Sequence, residues 1–245
     1  MPIYKTRPGA ESYGHDIGVI LIDCRTPFIP GDVGNASSYS YPVLYRTVPD
    51  VTLGRLIEQG DLSLTANVLA TARELEAAGV RAITSDCGYM IHFQKQVAAA
   101  VSIPVMLSPL LQLPFIQSLL RPDQRVGVVC ANAGRLTPDL LTIAHPHAER
   151  APAVVGLENA PNFRGPILDE TDTLDSDAIE AEVVEAARRL CRDNPDVGAV
   201  LLECSNLPPY ASAVQRATGL PVFDFMTMID YVRAAGRRNP YEGTY

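Results

Sequence analysis

Short apolar runs alternate along this chain with longer stretches whose apolar residues recur at helical spacing. Ile17–Ile22 is a continuous apolar run, the pattern of a strand buried on both faces of a parallel sheet. Further strands are predicted at Val80–Thr84, Ile103–Leu107, Arg125–Cys130, Ala153–Leu157, Gly198–Leu202 and Leu220–Phe223. Between them, Asp61–Ala78, Ile91–Val101, Leu110–Leu120, Pro138–Ile143, Asp175–Arg192, Pro209–Thr218 and Phe225–Arg237 read as helices. Leu62, Leu69, Ala72 and Leu75 mark the first of these, and Gly79 ends it. Asp23–Asp50 reads as one long polar connection with a turn signal at Pro30–Asn35. Connections of that length in a compact domain are often functional. Strands alternating with helices predict an α/β fold with parallel sheets.

Right-handed crossovers put the C-terminal ends of such strands on one edge, where ligands bind. Two cysteines fall at that edge. Cys87 stands in Ile83-Thr84-Ser85-Asp86-Cys87-Gly88-Tyr89, and Cys204 in Leu201-Leu202-Glu203-Cys204-Ser205-Asn206. Each follows the end of an apolar run, and they are 117 residues apart (204 − 87). This looks like one arrangement used twice, so two similar lobes are expected, with a boundary near Leu107–Leu110. Two thiols facing one carbon from opposite sides can serve as base and acid. A free thiol titrates near ~8.5, and a helix N-terminus lowers it. Cys24, Cys130 and Cys191 read as packing residues instead.

Charge developing on a carboxylate needs donors that tighten as it develops. Ser85, Gly88, Ser205 and Asn206 are candidates, with Asn132 and Ala133 from the second half; the competing role for each is turn or N-cap duty. Asp23 closes the first strand and Asp86 adjoins Cys87. Either would orient a thiol or bind a substrate cation, or else be a solvated strand-end carboxylate. Strand alternation aims Glu203 away from the Cys204 thiol, which gives it a structural role. The segment Tyr39–Tyr45, with Tyr89 and Phe93, would form an aromatic wall able to hold an onium group. The favoured reading is a loop packed down by its own rings. His145 and His147 lack a matching ligand set and read as a surface loop.

Of the 245 residues, 47% are hydrophobic and 20% charged, ordinary for a globular protein. The net charge of −8 and pI near 5.0 disfavour a nucleic-acid surface. They leave an anionic substrate open, because backbone N–H groups at helix starts hold carboxylates. No apolar run approaches the ~20 residues of a membrane span, and Met1–Asp16 is too polar for a signal peptide. A cytoplasmic protein that binds neither membrane nor nucleic acid is expected. The five cysteines show no CxxC spacing, which argues for free thiols. Lys5 and Lys95 are the two lysines, and neither has a phosphate-cradling glycine loop nearby, so a Schiff-base cofactor is not expected.

Cys204-Ser205-Asn206-Leu207-Pro208, followed by Gly219-Leu220-Pro221-Val222-Phe223-Asp224, resembles the second-cysteine region of the aspartate/glutamate racemase superfamily. Ser85-Asp86-Cys87-Gly88 matches its first-cysteine position, and Arg125–Val129 with Ala131-Asn132 resembles the strand and anion-binding turn that open its second lobe. The resemblance spans roughly Ile17 to Val232. The superfamily includes glutamate, aspartate and hydantoin racemases, maleate isomerase, arylmalonate decarboxylase and algal-type dimethylsulfoniopropionate lyases. It implies two lobes, here 1–108 and 109–223, with a C-terminal helix at about 224–245 returning to the first. It also implies a cleft between them holding a small carboxylate, catalysis by Cys87 and Cys204 without cofactor or metal, and a homo-oligomer, a dimer. Ser85, Gly88, Tyr89, Asn132, Ala133, Ser205, Asn206 and Asp23 are then the expected substrate contacts. The chain departs from amino-acid racemases in reading Asp-Cys-Gly-Tyr where Cys-Asn-Thr is usual, and in lacking a Thr-His pair after the second cysteine. The primary expectation is a cofactor-independent racemase or isomerase. The alternative is a carbon–sulfur lyase that cleaves dimethylsulfoniopropionate to dimethyl sulfide and acrylate. A non-catalytic binding or redox-sensing protein is the alternative from another class.

Overall fold

Among the described residues, eight parallel strands form two four-stranded sheets that repeat one topology. β1 (Ile17–Leu21), β2 (Val43–Thr47), β3 (Ala82–Ser85) and β4 (Val105–Met106) lie in the order β2-β1-β3-β4. β5 (Arg125–Cys130), β6 (Ala153–Gly156), β7 (Val197–Leu202) and β8 (Val222–Phe223) lie in the order β6-β5-β7-β8. The computed structural model describes residues 3–238, 240, 241, 243 and 244; positions 1, 2, 239, 242 and 245, which fall in the expected spans 1–108 and 224–245, lie outside the described residues.

In each sheet the chain leaves the first strand to one side and returns on the other. The switch points therefore lie between β1 and β3 and between β5 and β7, where open α/β sheets place their ligands. Ile20 faces Ser85 across the first pair, and Val129 faces Leu202 across the second. The residues just past these four strand ends, Ile22, Asp86, Ala131 and Glu203, are thus brought to corresponding places.

Helices cover the sheets. They are α1 (Thr65–Ala78), α2 (Gln94–Ala100), α3 (Leu113–Leu119), α4 (Pro138–Ala144), α5 (Pro161–Leu168), α6 (Ser176–Asp193), α7 (Ala211–Thr218) and α8 (Phe225–Gly236). α1 ends where Gly79 takes a left-handed φ of 91°, a conformation only glycine adopts freely. α6 buries Ile179, Val183, Ala186, Ala187 and Leu190 on one stripe, the periodicity of a helix lying on a sheet. Strand alternation divides β1 between two cores. Ile20, with Ile22 beyond the strand end, joins the core that runs through both lobes. Ile17 and Val19 join Ala82, Met106 and the α8 residues Phe225, Met228 and Ile229 beneath the first sheet.

The structure departs from the sequence pattern in three segments. The connection Asp23–Asp50 contains β2, an edge strand whose residues are half-buried, so its pattern never becomes a continuous apolar run. A π-helical turn, Gly54–Glu58, precedes α1. α5 occupies a stretch for which the pattern predicts no element; Pro161 opens it, but its N-cap, Ala160, makes no side-chain cap bond and Pro166 interrupts the helical pattern within it. Among the described residues no helix is long and apolar enough to cross a membrane.

Candidate active site

The ends of β1, β3, β5 and β7 converge on a cavity of about 20 Å³, room for roughly one water. Cys87 and Cys204 both line it, with Asp86 and Glu203 immediately before them. Cys24, just past β1, is a third thiol in its wall. Thr26 and Phe28 close it from the Asp23–Asn35 segment, Ile57 from the π-helical turn, and Ile167 and Leu168 from α5. All five cysteines are free thiols. Among the described residues, no group of three or more His, Cys, Asp or Glu side chains is placed to hold a metal.

The residue two places after each cysteine reaches across to the other lobe. The Tyr89 hydroxyl donates to the Asn132 carbonyl (2.6 Å) and accepts the Asn132 N–H (3.2 Å). The Asn206 amide donates to the Asp32 carboxylate. Ser205 adds a third bridge, its hydroxyl donating to the Asp86 carbonyl. The Asp23–Asn35 segment is held over the cavity by the Asp32–Asn206 contact. A bond from the Arg25 N–H to Glu170 of the second lobe (2.7 Å) also holds it. Admitting anything larger than a water requires some part of this wall to move.

The other sequence candidates fall into two groups. Gly88, Tyr89, Ser205 and Asn206 line the cavity with the two cysteines. Asp23, Ser85, Asn132 and Ala133 do not. Asp23 is exposed. Ser85 is buried, with its hydroxyl donating to the Leu107 carbonyl (2.6 Å). The N–H groups of the expected anion-binding turn are already engaged, Asn132 by Tyr89 and Ala133 by the Glu158 carboxylate (3.1 Å). The tyrosines of the 39–45 segment pack the connection down instead of facing the cavity. Tyr39 and Tyr45 both donate to the Val33 carbonyl (2.9 and 3.2 Å), and Tyr41 donates to Asp230 of α8 (2.6 Å).

Glu203 does not behave as strand alternation predicts. β7 stops at Leu202, so the alternation no longer governs the next side chain, and Glu203 lines the same cavity as Cys204. It is fully buried, and neither carboxyl oxygen makes a hydrogen bond of good geometry among the described residues, although the Ala131 N–H lies close enough to favour its ionised form. Asp86 is likewise buried, where a solvated strand-end carboxylate was one expectation. Its Oδ1 accepts the Ile22 N–H (2.9 Å), and its Oδ2 has no partner among the described residues.

Burial sets the charge state of these groups, because desolvation disfavours the ionised form. It pushes Glu203 up to about 8 against the pull of the Ala131 N–H. It pushes Asp86 up to about 8 against the Ile22 N–H, with Asp32 adding to the rise. Asp32 rises to about 7 for the same reason, opposed by the Gly34 N–H and Asn206. Both thiols rise well above the ordinary cysteine value, through burial first and Glu203 next. Cys24 rises to about 11 through burial and then Asp86. The closed cavity is therefore neutral near neutral pH, with its acids and thiols protonated.

This has a measurable consequence for stability. In the unfolded chain the three acids ionise near ~4, whereas in the folded protein they hold their protons to about 7 or 8. The folded state then binds more protons between these limits, so their contribution is fully present in acid and is lost as pH rises toward 8. The urea midpoint is expected to fall between about pH 5 and about pH 8 as these groups lose the protons that the folded state holds. Glu203→Gln should make the fall shallower, and an unchanged slope in that variant would contradict a protonated Glu203.

Comparison with known proteins bears on both fold and chemistry. A family model described as Asp/Glu/Hydantoin racemase matches residues 41–229. A dimethylsulfoniopropionate lyase of Durusdinium sp. clade D is 32% identical over 234 residues, covering 93% of this chain and 77% of the relative. Dimethylsulfoniopropionate lyase 7 of Emiliania huxleyi (strain CCMP1516) is 32% identical over 238 residues, covering 93% of this chain and 69% of the relative. Among solved structures, a sulfate-associated mutant of arylmalonate decarboxylase matches with a TM-score of 0.61 at 19% identity, covering 94% of this chain and 97% of the other. Allantoin racemase from Pseudomonas fluorescens matches with a TM-score of 0.61 at 15% identity, covering 89% of each. At these identities the solved structures bear on the fold alone, which is the same two-lobed arrangement.

Proposed function

The chain belongs to the Asp/Glu/Hydantoin racemase family, and from that premise we propose that it is a carbon–sulfur lyase. Its substrate is a small carboxylate carrying a β-sulfonium, the chemistry named in its dimethylsulfoniopropionate-cleaving relatives. The observation that carries this reading is the charge of the cavity wall. Its ionisable side chains are Asp86, Glu203, the Tyr89 phenol and thiols, with no Lys, Arg or His among the described residues lining it. A free dicarboxylate would meet acids there and no cation. A substrate with a fixed positive charge suits the same wall, since a neighbouring cation favours ionisation of thiols and acids that burial holds neutral.

Cys87 is the base in this reading. It directly precedes the 3₁₀ turn Gly88–Phe93, which runs on into α2, and the Tyr89 N–H favours its thiolate. The thiolate takes the α-proton. The C–H electron pair becomes the Cα–Cβ double bond, and the Cβ–S bond breaks, its pair leaving on dimethyl sulfide. Acrylate remains, and the Cys87 thiol returns its proton to solvent. The Cys204 thiol donates to the Asn206 amide oxygen (3.4 Å), which holds its proton in place.

The racemase reading retains one supporting observation, that two thiols from corresponding strand ends line one cavity. Proton NMR in D2O separates the two. Vinyl signals of acrylate from dimethylsulfoniopropionate are the expected result. Loss of the α-proton from an aspartate or glutamate enantiomer, with no elimination from the sulfonium compound, would favour racemisation instead. Silence with both substrate classes would shift weight to a binding or redox-sensing role.

A further inference from the structure

We propose that Glu203 acts as a neutral carboxylic acid that donates its proton in a hydrogen bond to the substrate's carboxylate, and so is a further catalytic residue. This rests on the reading of the cavity as a site for chemistry α to a carboxylate. It does not depend on which leaving group departs.

The geometry leaves little else for Glu203 to do. A buried polar group without a full partner is costly and uncommon, yet among the described residues neither Glu203 oxygen in the cavity wall makes a hydrogen bond of good geometry, the Ala131 N–H lying only close enough to favour the ionised form. Its side chain crosses from the second lobe to the first and lies against Gly88. A Cβ at that position would overlap the Glu203 carboxylate. Glu203 thus sits beside the residue that follows Cys87 while being the residue that precedes Cys204. The groups that commonly hold an anion are not free to do so here. The turn after β5 has its Asn132 and Ala133 N–H groups occupied by Tyr89 and Glu158, and no basic side chain among the described residues lines the cavity.

The chemistry explains why an acid would be kept there. Removing the α-proton of a carboxylate pushes a second negative charge onto its oxygens, so a donor aimed at them strengthens as the reaction proceeds. A neutral carboxyl donates without placing a like charge against the substrate, and a bond from it to a carboxylate is charge-assisted and short. An apolar site keeps a carboxylic acid protonated near neutral pH so that it can donate in this way. Asp86 is less suited, because one of its oxygens is already committed to Ile22.

The charge state can be tested without assuming turnover. Infrared spectra of wild type, Glu203→Gln and Asp86→Asn would be taken at about pH 6 and about pH 9.5, on either side of the carboxyl's titration. Each is recorded with and without propionate. The groups facing Glu203 are Cys87, Cys130, Cys204 and Tyr89, all held protonated by burial. Asp86 faces Cys87 and titrates in the same range as Glu203, which is why its variant is included. A protonated-carboxyl band is expected that survives in Asp86→Asn, is missing in Glu203→Gln, fades at high pH and shifts with propionate. Absence of that band in wild type, or its indifference to propionate, would overturn the proposal whatever the enzyme cleaves.

Kinetics with dimethylsulfoniopropionate supply the second arm. Glu203→Leu should lose at least about a hundredfold in kcat, whereas Glu203→Gln, which keeps a neutral donor, should lose no more than about tenfold. Wild type is expected to show an alkaline fall in kcat, and Glu203→Gln should lose it. A folded Glu203→Leu enzyme with wild-type kcat would remove Glu203 from the reaction and leave the lyase intact. A propionate-sensitive Glu203 band in a protein that never releases acrylate would remove the lyase and leave Glu203 as the carboxylate's partner.

Discussion

Cys87→Ser is expected to lower release of dimethyl sulfide by about a thousandfold, and Cys204→Ser by no more than about thirtyfold. A serine hydroxyl is far too weak an acid to supply a ready anion, so the base is lost while the shape of the site is nearly kept. The asymmetry follows from the surroundings of the two sulfurs. Each sulfur meets the N–H two residues on, Tyr89 for Cys87 and Asn206 for Cys204, but Cys87 does so at the start of a helical segment. Cys204 has its proton directed onto Asn206, which in turn donates to Asp32. Elimination needs one base and no returned proton, because the product is an alkene. Racemisation needs both groups. Steady-state rates of the two variants therefore report on the reaction class as well as on the base. Equal, near-complete losses would point to proton return by the second thiol. A larger loss at Cys204 would reverse the roles assigned here, and two active variants would exclude both thiols.

Gly88→Ala should be the most disruptive single-methyl change in the site. The added Cβ would sit 2.6 Å from the Glu203 carbonyl oxygen and would overlap its carboxylate. The carboxylate can swing aside. The carbonyl belongs to backbone just past β7 and cannot move without shifting Cys204. Such overpacking costs about 1–3 kcal/mol, equivalent to a fall of about 2–12 °C in Tm for a chain of this size. Activity should fall with it, since the strain is shared by the loops that carry Cys87 and Cys204. Adding Glu203→Ala should recover only part of the lost stability, because the carbonyl clash persists. Thermal melts of the single and double variants check this. A Gly88→Ala protein melting within about 1 °C of wild type would show that the two loops are not in the contact described.

Much of the architecture is written in local pattern. The apolar run at Ile17 and the run Arg125–Cys130 identify buried parallel strands because both of their faces are covered. Their alternation with helical stretches requires crossovers, and crossovers of one hand put the strand ends on a single edge. That is why Cys87 and Cys204 could be assigned to one edge from sequence, and why the repeat of the arrangement was visible in their contexts. β2 escaped because an edge strand is only half-buried, and α5 because it carries neither a side-chain cap nor an uninterrupted helical pattern. Yet α5 supplies Ile167 and Leu168 to the cavity wall.

What the sequence could not determine are the contacts made when the two lobes meet. Tyr89 occupies Asn132 from 43 residues away, and Asn206 meets Asp32 from 174. Glu158 fills the turn that the family pattern assigns to an anion. Glu203 enters the cavity because β7 ends one residue earlier. Periodicity reports which face of an element is apolar. It carries no information about which polar group from a distant segment will meet that face's end. The sequence therefore determined the sheets, their order of elements and the two thiols at one edge. Only the docking of the lobes decided that the thiols share a closed cavity with two protonated acids, because partners so far apart in the chain are set by tertiary packing and not by local pattern.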